Sequence, residues 1–297
     1  MRQYRLIPRR SEERRARYRS ALFLAPSVIG VLVFFVIPFC VVIFYSFVDN
    51  PINKEFVGFE NFVRLLKNAA FKKAAMNTLS FSGTAVPLSV ILSLMLAMVL
   101  ESKIPGKSKF RTFFLSPMMV PVASIVLIWQ VIFHFNGALN DWLSVFGVEK
   151  IDWLKSNYSQ YVIVMLFLWK NLGYNMILFM AALSSIPRDQ LEAAQIDGAS
   201  KATVFWRIKL RYLSPTLLFV TIFSLINSFK VFRETYLLTG DYPYETLYLL
   251  QHFMNNTFMS LDYQKLSSAA MIMFVFMVII IGALFFVESK FGRDVEE

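Results

Sequence analysis

Apolar residues in this chain come in long unbroken runs, not at the three-and-four spacing of half-buried helices. Six runs reach the roughly 20 residues needed to cross a bilayer. They are Ala21–Val48, Leu79–Leu100, Thr112–Phe135, Tyr161–Leu183, Leu213–Leu238 and Leu266–Val287. Only Gly, Pro, Ser, Thr, Asn, Gln or an occasional charge interrupts them. A backbone facing lipid must satisfy its own hydrogen bonds, so each run is predicted as a helix. Pro38, Pro87, Pro117, Pro121 and Pro215 lie in or beside the runs and are expected to kink or bound them. The pattern predicts an all-α membrane protein: a basic tail over 1–20, six transmembrane helices within 21–287, and a short tail over 288–297. A soluble bundle would need broader polar faces.

Composition agrees. The 297 residues are 57% hydrophobic and 17% charged, against about 45–50% and about 25% in soluble domains. The first run is too long for the roughly 7–15-residue apolar core of a secretory signal and lacks a small-residue cleavage site, so it is kept as a helix. Basic residues set the orientation. With the N-terminus cytoplasmic, segments 1–20, 101–111, 184–212 and 288–297 hold 19 Lys and Arg, against 8 in 49–78, 136–160 and 239–265. Both termini are therefore expected in the cytoplasm. The net charge of +10 lies mainly in the N-terminal tail and inner loops, where anionic membrane lipid accounts for it. Nucleic acid is not expected as a partner, since no basic face on a soluble module is interleaved with aromatics.

Candidate chemistry is sparse. Cys40 is the single cysteine and lies in the first run. His134 and His252 have no Cys or carboxylate at metal spacing. There is no phosphate-binding glycine loop of the Walker type and no Ser-His-Asp or Cys-His arrangement, so neither ATP hydrolysis nor other catalysis is expected of this chain.

Two loops carry structure. In 58–76, Phe59, Phe62, Leu65 and Leu66 recur at helical spacing, which predicts an amphipathic helix. It either lies flat on the outer membrane face or packs on the outer ends of neighbouring spans. In the inner loop 186–212, Asp189 to Gln195 reads as helix, with acidic residues in the first turn where the macrodipole favours them. Asp197-Gly198 breaks it, since only glycine enters φ > 0 without steric cost. Helical spacing resumes from Ala199 to Leu210.

This stretch resembles a known loop. Glu192-Ala193-Ala194, Asp197-Gly198-Ala199, Phe205, Ile208, Leu210 and Pro215 look like the cytoplasmic EAA loop of binding-protein-dependent ABC importer permeases, in their carbohydrate-uptake group. Phe23-Leu24-Ala25-Pro26, Gly58-Phe59-Glu60-Asn61-Phe62 and Ala182-Leu183-Ser184-Ser185-Ile186-Pro187 resemble other parts of the same permeases. The chain departs from the family pattern at Leu210-Arg211, where Leu-Pro is usual, and at Thr239-Gly240-Asp241-Tyr242-Pro243, where Thr-x-Gly-Gly-Pro is usual. The resemblance implies the type I ABC importer permease fold in a bacterial inner membrane. It also implies a second homologous permease subunit, an ABC ATPase dimer that uses the ATP, and an external substrate-binding protein. No cofactor is expected on this chain itself. Glu192, Ala193, Ala194, Asp197, Gly198 and Ala199 are the implied ATPase-coupling element, as opposed to a hairpin that merely braces spans four and five.

The cargo pathway is read from polar residues within spans, which are costly unless they face a cavity or a partner. Lys170, Asn171, Tyr174 and Asn175 on the fourth span, with Asn227 and Lys230 on the fifth, are candidate lining residues. The competing reading pairs Lys230 with Glu234 at i, i+4 and uses the asparagines to join helices. Lys170, Lys230 and Arg233 against Glu234 alone favour an anionic saccharide, beside which a neutral sugar stays open. An ion-coupled secondary transporter is the alternative function. It would normally carry carboxylates or histidines within spans, and this chain has almost none.

Overall fold

The computed structural model describes residues 10–101 and 105–291, with side chains within 20–290. Among the described residues the regular elements are all helical, and strand pairing is limited to an isolated β-bridge between Val48 and Phe56. Six stretches are long and apolar enough to cross a membrane: Ser20–Ser46, Ala69–Glu101, Val122–Ser144, Ser159–Ser184, Ser214–Thr239 and Tyr263–Lys290. The chain divides into two compact units. One takes in the chain through Leu65 with Leu261–Ile272; the other comprises Leu66–Ser260 with the chain from Met273 onward.

In the first unit, α1 (Arg10–Val31) and α2 (Ile37–Ser46) are joined by a π-helical turn over Leu32–Val36. Pro38 explains the wide turn: its ring would crowd a normal α turn and it has no N–H to donate. The side chains of this span stay on the surface of the chain, with Phe23, Phe34 and Phe35 all exposed. Beyond it, Phe47 gathers Phe56, Phe59 and Phe62 at centroid separations of 6.1, 5.6 and 5.5 Å. Asn61 on α3 (Glu60–Lys67) donates through Nδ2 to the carbonyls of Ser46 and Val48. The helix expected across 58–76 is thus shorter. Asn68 interrupts it, and its Oδ1 accepts from the Phe71 amide to start a new helix. Asn61 and Leu65 are buried while Phe59 and Leu66 are exposed, so α3 packs one edge on protein.

The second unit is built on α4 (Ala69–Glu101) and α8 (Ser159–Ser184). The Phe81 and Phe167 rings meet edge to face at 5.7 Å. Two apolar clusters form along the pair. One gathers Phe81, Ile125, Trp129, Leu166 and Phe167; the other gathers Val90, Ala97, Met176, Phe179 and Leu183. Polar groups tie this pair to a third helix, Ser214–Lys230: Ser82 Oγ lies 2.9 Å from Ser228 Oγ, and Asn175 Nδ2 donates to Ser89 Oγ and Ser224 Oγ at 3.0 and 2.9 Å. Such bonds between spans substitute for a hydrophobic drive that lipid does not provide.

Two of the expected spans are broken. The third run splits into α5 (Lys107–Met119) and α6 (Val122–Phe133), with Val120 and Pro121 extended between them. Pro121 forces this, since the residue before a proline is pushed out of the α region; α7 (Ala138–Ser144) follows. The fifth run divides at Val231 into α12 (Ser214–Lys230) and α13 (Phe232–Thr239). Gly173 brings α8 onto the backbone of α5: a Cβ there would lie 1.8 Å from the Phe114 carbonyl oxygen.

The loop after α13 is pinned to the start of α4. Asn77 Nδ2 donates to the carbonyls of Glu245 and Tyr248, Thr78 Oγ1 accepts from the Leu250 amide, and Lys73 pairs with Glu245. This seats α14 (Leu250–Met259), after which α15 (Tyr263–Phe291) forms the last span.

Candidate functional site

The loop at 186–212 folds as a helical hairpin within the second unit. Pro187 precedes α9 (Arg188–Ile196), and Asp189 sits in its first turn. Gly198 ends the helix at φ +75°. The Ala199 amide returns to the Ala194 carbonyl and the Gly198 amide to the Gln195 carbonyl. That is the paired bonding of a Schellman C-cap, which needs a left-handed residue at this position. Ser200 caps α10 (Lys201–Val204) by accepting from the Thr203 amide. From there a π turn over Phe205–Lys209 and α11 (Leu210–Tyr212) lead into α12. Arg211, where the family pattern has proline, therefore lies in a helical run that feeds the fifth span. Two links brace the hairpin: Tyr212 OH donates to Gln190 Oε1 at 2.8 Å, and Lys209 Nζ meets Glu101 Oε2 at 2.8 Å. Glu192, Ala193, Asp197 and Gly198 are exposed, Ala194 and Ala199 partly so. Ile196 is 86% exposed, a large apolar side chain left uncovered at the end of α9.

A second site lies between spans of the same unit. A cavity of about 340 Å³ is lined by Lys170, Asn171 and Tyr174 of α8, Asn227 and Lys230 of α12, and Arg233 and Glu234 of α13. Met118, Leu166, Phe167, Phe223 and Val231 complete its apolar wall. The Tyr174 and Phe223 rings are 4.9 Å apart. Lys170 Nζ pairs with Glu234 Oε1 across the two spans. Glu234 is buried, and its Oε2 has no hydrogen-bond partner among the described residues. Asn227 Nδ2 donates to Asn171 Oδ1 at 3.0 Å, and Asn171 Nδ2 donates to the Phe167 carbonyl at 2.8 Å.

Five of the six residues expected along the pathway thus share one cavity. Asn175 does not join them: it is fully buried in its bonds to Ser89 and Ser224. The i, i+4 pairing of Lys230 with Glu234 gives way to the cross-span pair with Lys170, since the turn at Val231 separates α12 from α13. Met118 and Phe223 were not singled out from the sequence, because nothing local distinguishes an apolar residue facing a cavity from one facing lipid.

Residues 89–288 match the model of a family described as the binding-protein-dependent transport system inner membrane component. The trehalose/maltose transport system permease protein MalF of Thermococcus litoralis is 31% identical over 94% of this chain and 97% of its own. The sulfoquinovosyl glycerol transport system permease protein SmoG of Agrobacterium fabrum is 30% identical over 87% of this chain and 86% of its own. A chain of a bacterial ABC transporter involved in import of the acidic polysaccharide alginate superposes with a TM-score of 0.78 at 20% identity, covering 96% of this chain and 99% of its own.

Proposed function

Because the chain belongs to the family of inner-membrane components of binding-protein-dependent transport systems, we propose that it forms half of the translocation pathway of an ATP-driven carbohydrate importer. Relatives named for transport of trehalose and maltose and of sulfoquinovosyl glycerol support the carbohydrate class. Family membership sets aside the ion-coupled carrier and an enzymatic role. The partners are a second, similar permease subunit, two ATPase subunits and an external binding protein; both termini face the cytoplasm.

The observation that carries this reading is the exposed hairpin of α9 and α10. Its left-handed Gly198 and its exposed Glu192, Ala193 and Ile196 leave one face of the braced helical hairpin uncovered. Small alanines let a partner surface approach, and Glu192 supplies a charge-assisted contact to a basic group of the ATPase. Closure of the ATPase pair moves the hairpin, and the helical run from Lys201 into α12 carries that motion to the fifth span.

The test is coupling in the reconstituted importer. Gly198→Pro replaces a φ of +75° with one fixed near −65°. It is expected to abolish uptake and receptor-stimulated ATP hydrolysis while leaving cargo binding to the external receptor unchanged. Glu192→Lys is expected to weaken ATPase association. Normal uptake by both variants would refute the coupling role.

A further inference from the structure

Charge in the cavity is unevenly presented. Three cations line it, Lys170, Lys230 and Arg233, against one carboxylate, Glu234. The carboxylate is withdrawn: Oε1 is held by Lys170, and Oε2 is buried away from the open space. The side chain of Glu234 is only 5% exposed, against 27% for Lys170. Lys230 and Arg233 are exposed, and neither has an ion-pair partner among the described residues. The cavity therefore shows two uncompensated positive charges.

The neutral groups are partly occupied. Asn171 uses Nδ2 on the Phe167 carbonyl and Oδ1 on Asn227. Asn175 is buried behind the wall. What remains for a ligand is chiefly Lys230, Arg233, one face of Tyr174 and the Asn227 carbonyl oxygen. A neutral sugar would leave two cations unmatched as it displaced their water, which costs free energy. An acid group would match them, and the ring that carries it would find Tyr174 and Phe223 beside it.

We propose that the cargo is an anionic saccharide, with Lys230 and Arg233 as the residues that read its acid group. This deepens the importer reading and rests on it. Lys170 and Glu234 act differently: their pair ties α8 to α13 and keeps a carboxylate from repelling the cargo.

The experiment uses the complete importer in nanodiscs without its receptor, so that selectivity of the membrane cavity alone is read. Probes are trigalacturonate and neutral galactotriose, with galactose 6-phosphate and galactose 6-sulfate to separate carboxylate from phosphate and sulfate. At least one acidic probe should bind about tenfold tighter than its neutral counterpart, an advantage that shrinks as salt screens the charges. Lys230→Met with Arg233→Met should remove that advantage, bringing the affinity for the acidic probe down to that of its neutral counterpart measured on the same variant. Lys230→Arg with Arg233→Lys should restore it, which separates charge from fold. If the double methionine variant fails to assemble, Lys230→Gln alone should lower acidic affinity several-fold. Equal binding of neutral and acidic probes by the native importer, absence of binding by every acidic probe, or acidic binding unaffected by loss of the cations would each overturn the proposal. Uptake with the receptor distinguishes the two levels. Import of neutral oligosaccharides alone defeats only the charge inference, whereas import of no saccharide defeats the carbohydrate reading.

Discussion

Replacing Gly173 with alanine adds one methyl group and should separate two helices. Built on the backbone, that Cβ falls 1.8 Å from the Phe114 carbonyl oxygen, 2.4 Å from its carbon and 3.0 Å from the Leu115 nitrogen. Non-bonded heavy atoms rest about 3.5–4.0 Å apart, so α5 must retreat by about 2 Å. The obstruction is backbone, and no rotamer change relieves it. Overpacking of this kind costs about 1–3 kcal/mol, and a backbone obstacle places it toward the upper value. Alanine's better helix propensity returns about 1 kcal/mol, leaving a net loss of about 2 kcal/mol. At roughly 2–4 °C per kcal/mol, the melting temperature of the solubilised importer should fall by about 4–8 °C. Met118 near the end of α5 and Tyr174 beside Gly173 both line the cavity, so uptake should decline as well. Gly282→Ala on α15 is the control, because a Cβ there meets nothing within 4 Å. It should be neutral or slightly stabilising. A Gly173→Ala importer that melts and transports like the Gly282→Ala importer would refute the close-approach argument.

Two other substitutions separate structure from transport. Asn175→Ala removes two hydrogen bonds between spans, each worth about 0.6 kcal/mol in a membrane protein; it should lower the melting temperature modestly and leave cargo selectivity as it was. His252 lies on α14, outside the apolar spans, fully buried and with Nδ1 accepting from the Leu249 amide. Burial lowers its pKa to about 4, against an opposing pull from Asp241. An unfolded histidine takes up a proton near pH 6.5, so the stability held by the neutral ring is complete above that pH. It is lost as pH falls toward 4, by up to about 3 kcal/mol. His252→Gln should flatten the pH dependence of melting between pH 6.5 and 4.5; an unchanged slope would contradict the assignment.

Features set by local chemistry were legible in the sequence. Gly198 was readable because a helix that stops and resumes needs a left-handed residue, and Pro121 because proline restricts the residue before it. The six spans followed from run length alone. Features set by distant partners were not legible. For Glu234 the sequence offered Lys230, four residues away, as a partner in one of two readings, but its partner Lys170 lies 64 positions earlier in the chain. Asn175 shares helical spacing with Asn171, yet Ser89 and Ser224 arrive from two other helices and cover it. Gly173 is one glycine in an apolar run, and its role depends on the backbone of α5. The break at Val231 has no proline or glycine to mark it.

The two broken spans and the polar cavity are connected physically. Met118 lies one residue from the end of α5, before the extended Val120 and Pro121, and Lys230 and Val231 lie at the turn between α12 and α13; all three residues other than the extended pair line the same cavity. At membrane depth, backbone that leaves the helical ladder is tolerated only where it is buried in protein or borders a space that offers polar partners. An ionisable side chain in a span is held to the same condition. Interruptions placed at random along six spans would meet lipid. Here both fall where Lys170, Lys230, Arg233 and Glu234 already require a polar space, and residues at the helix ends they create line the same cavity.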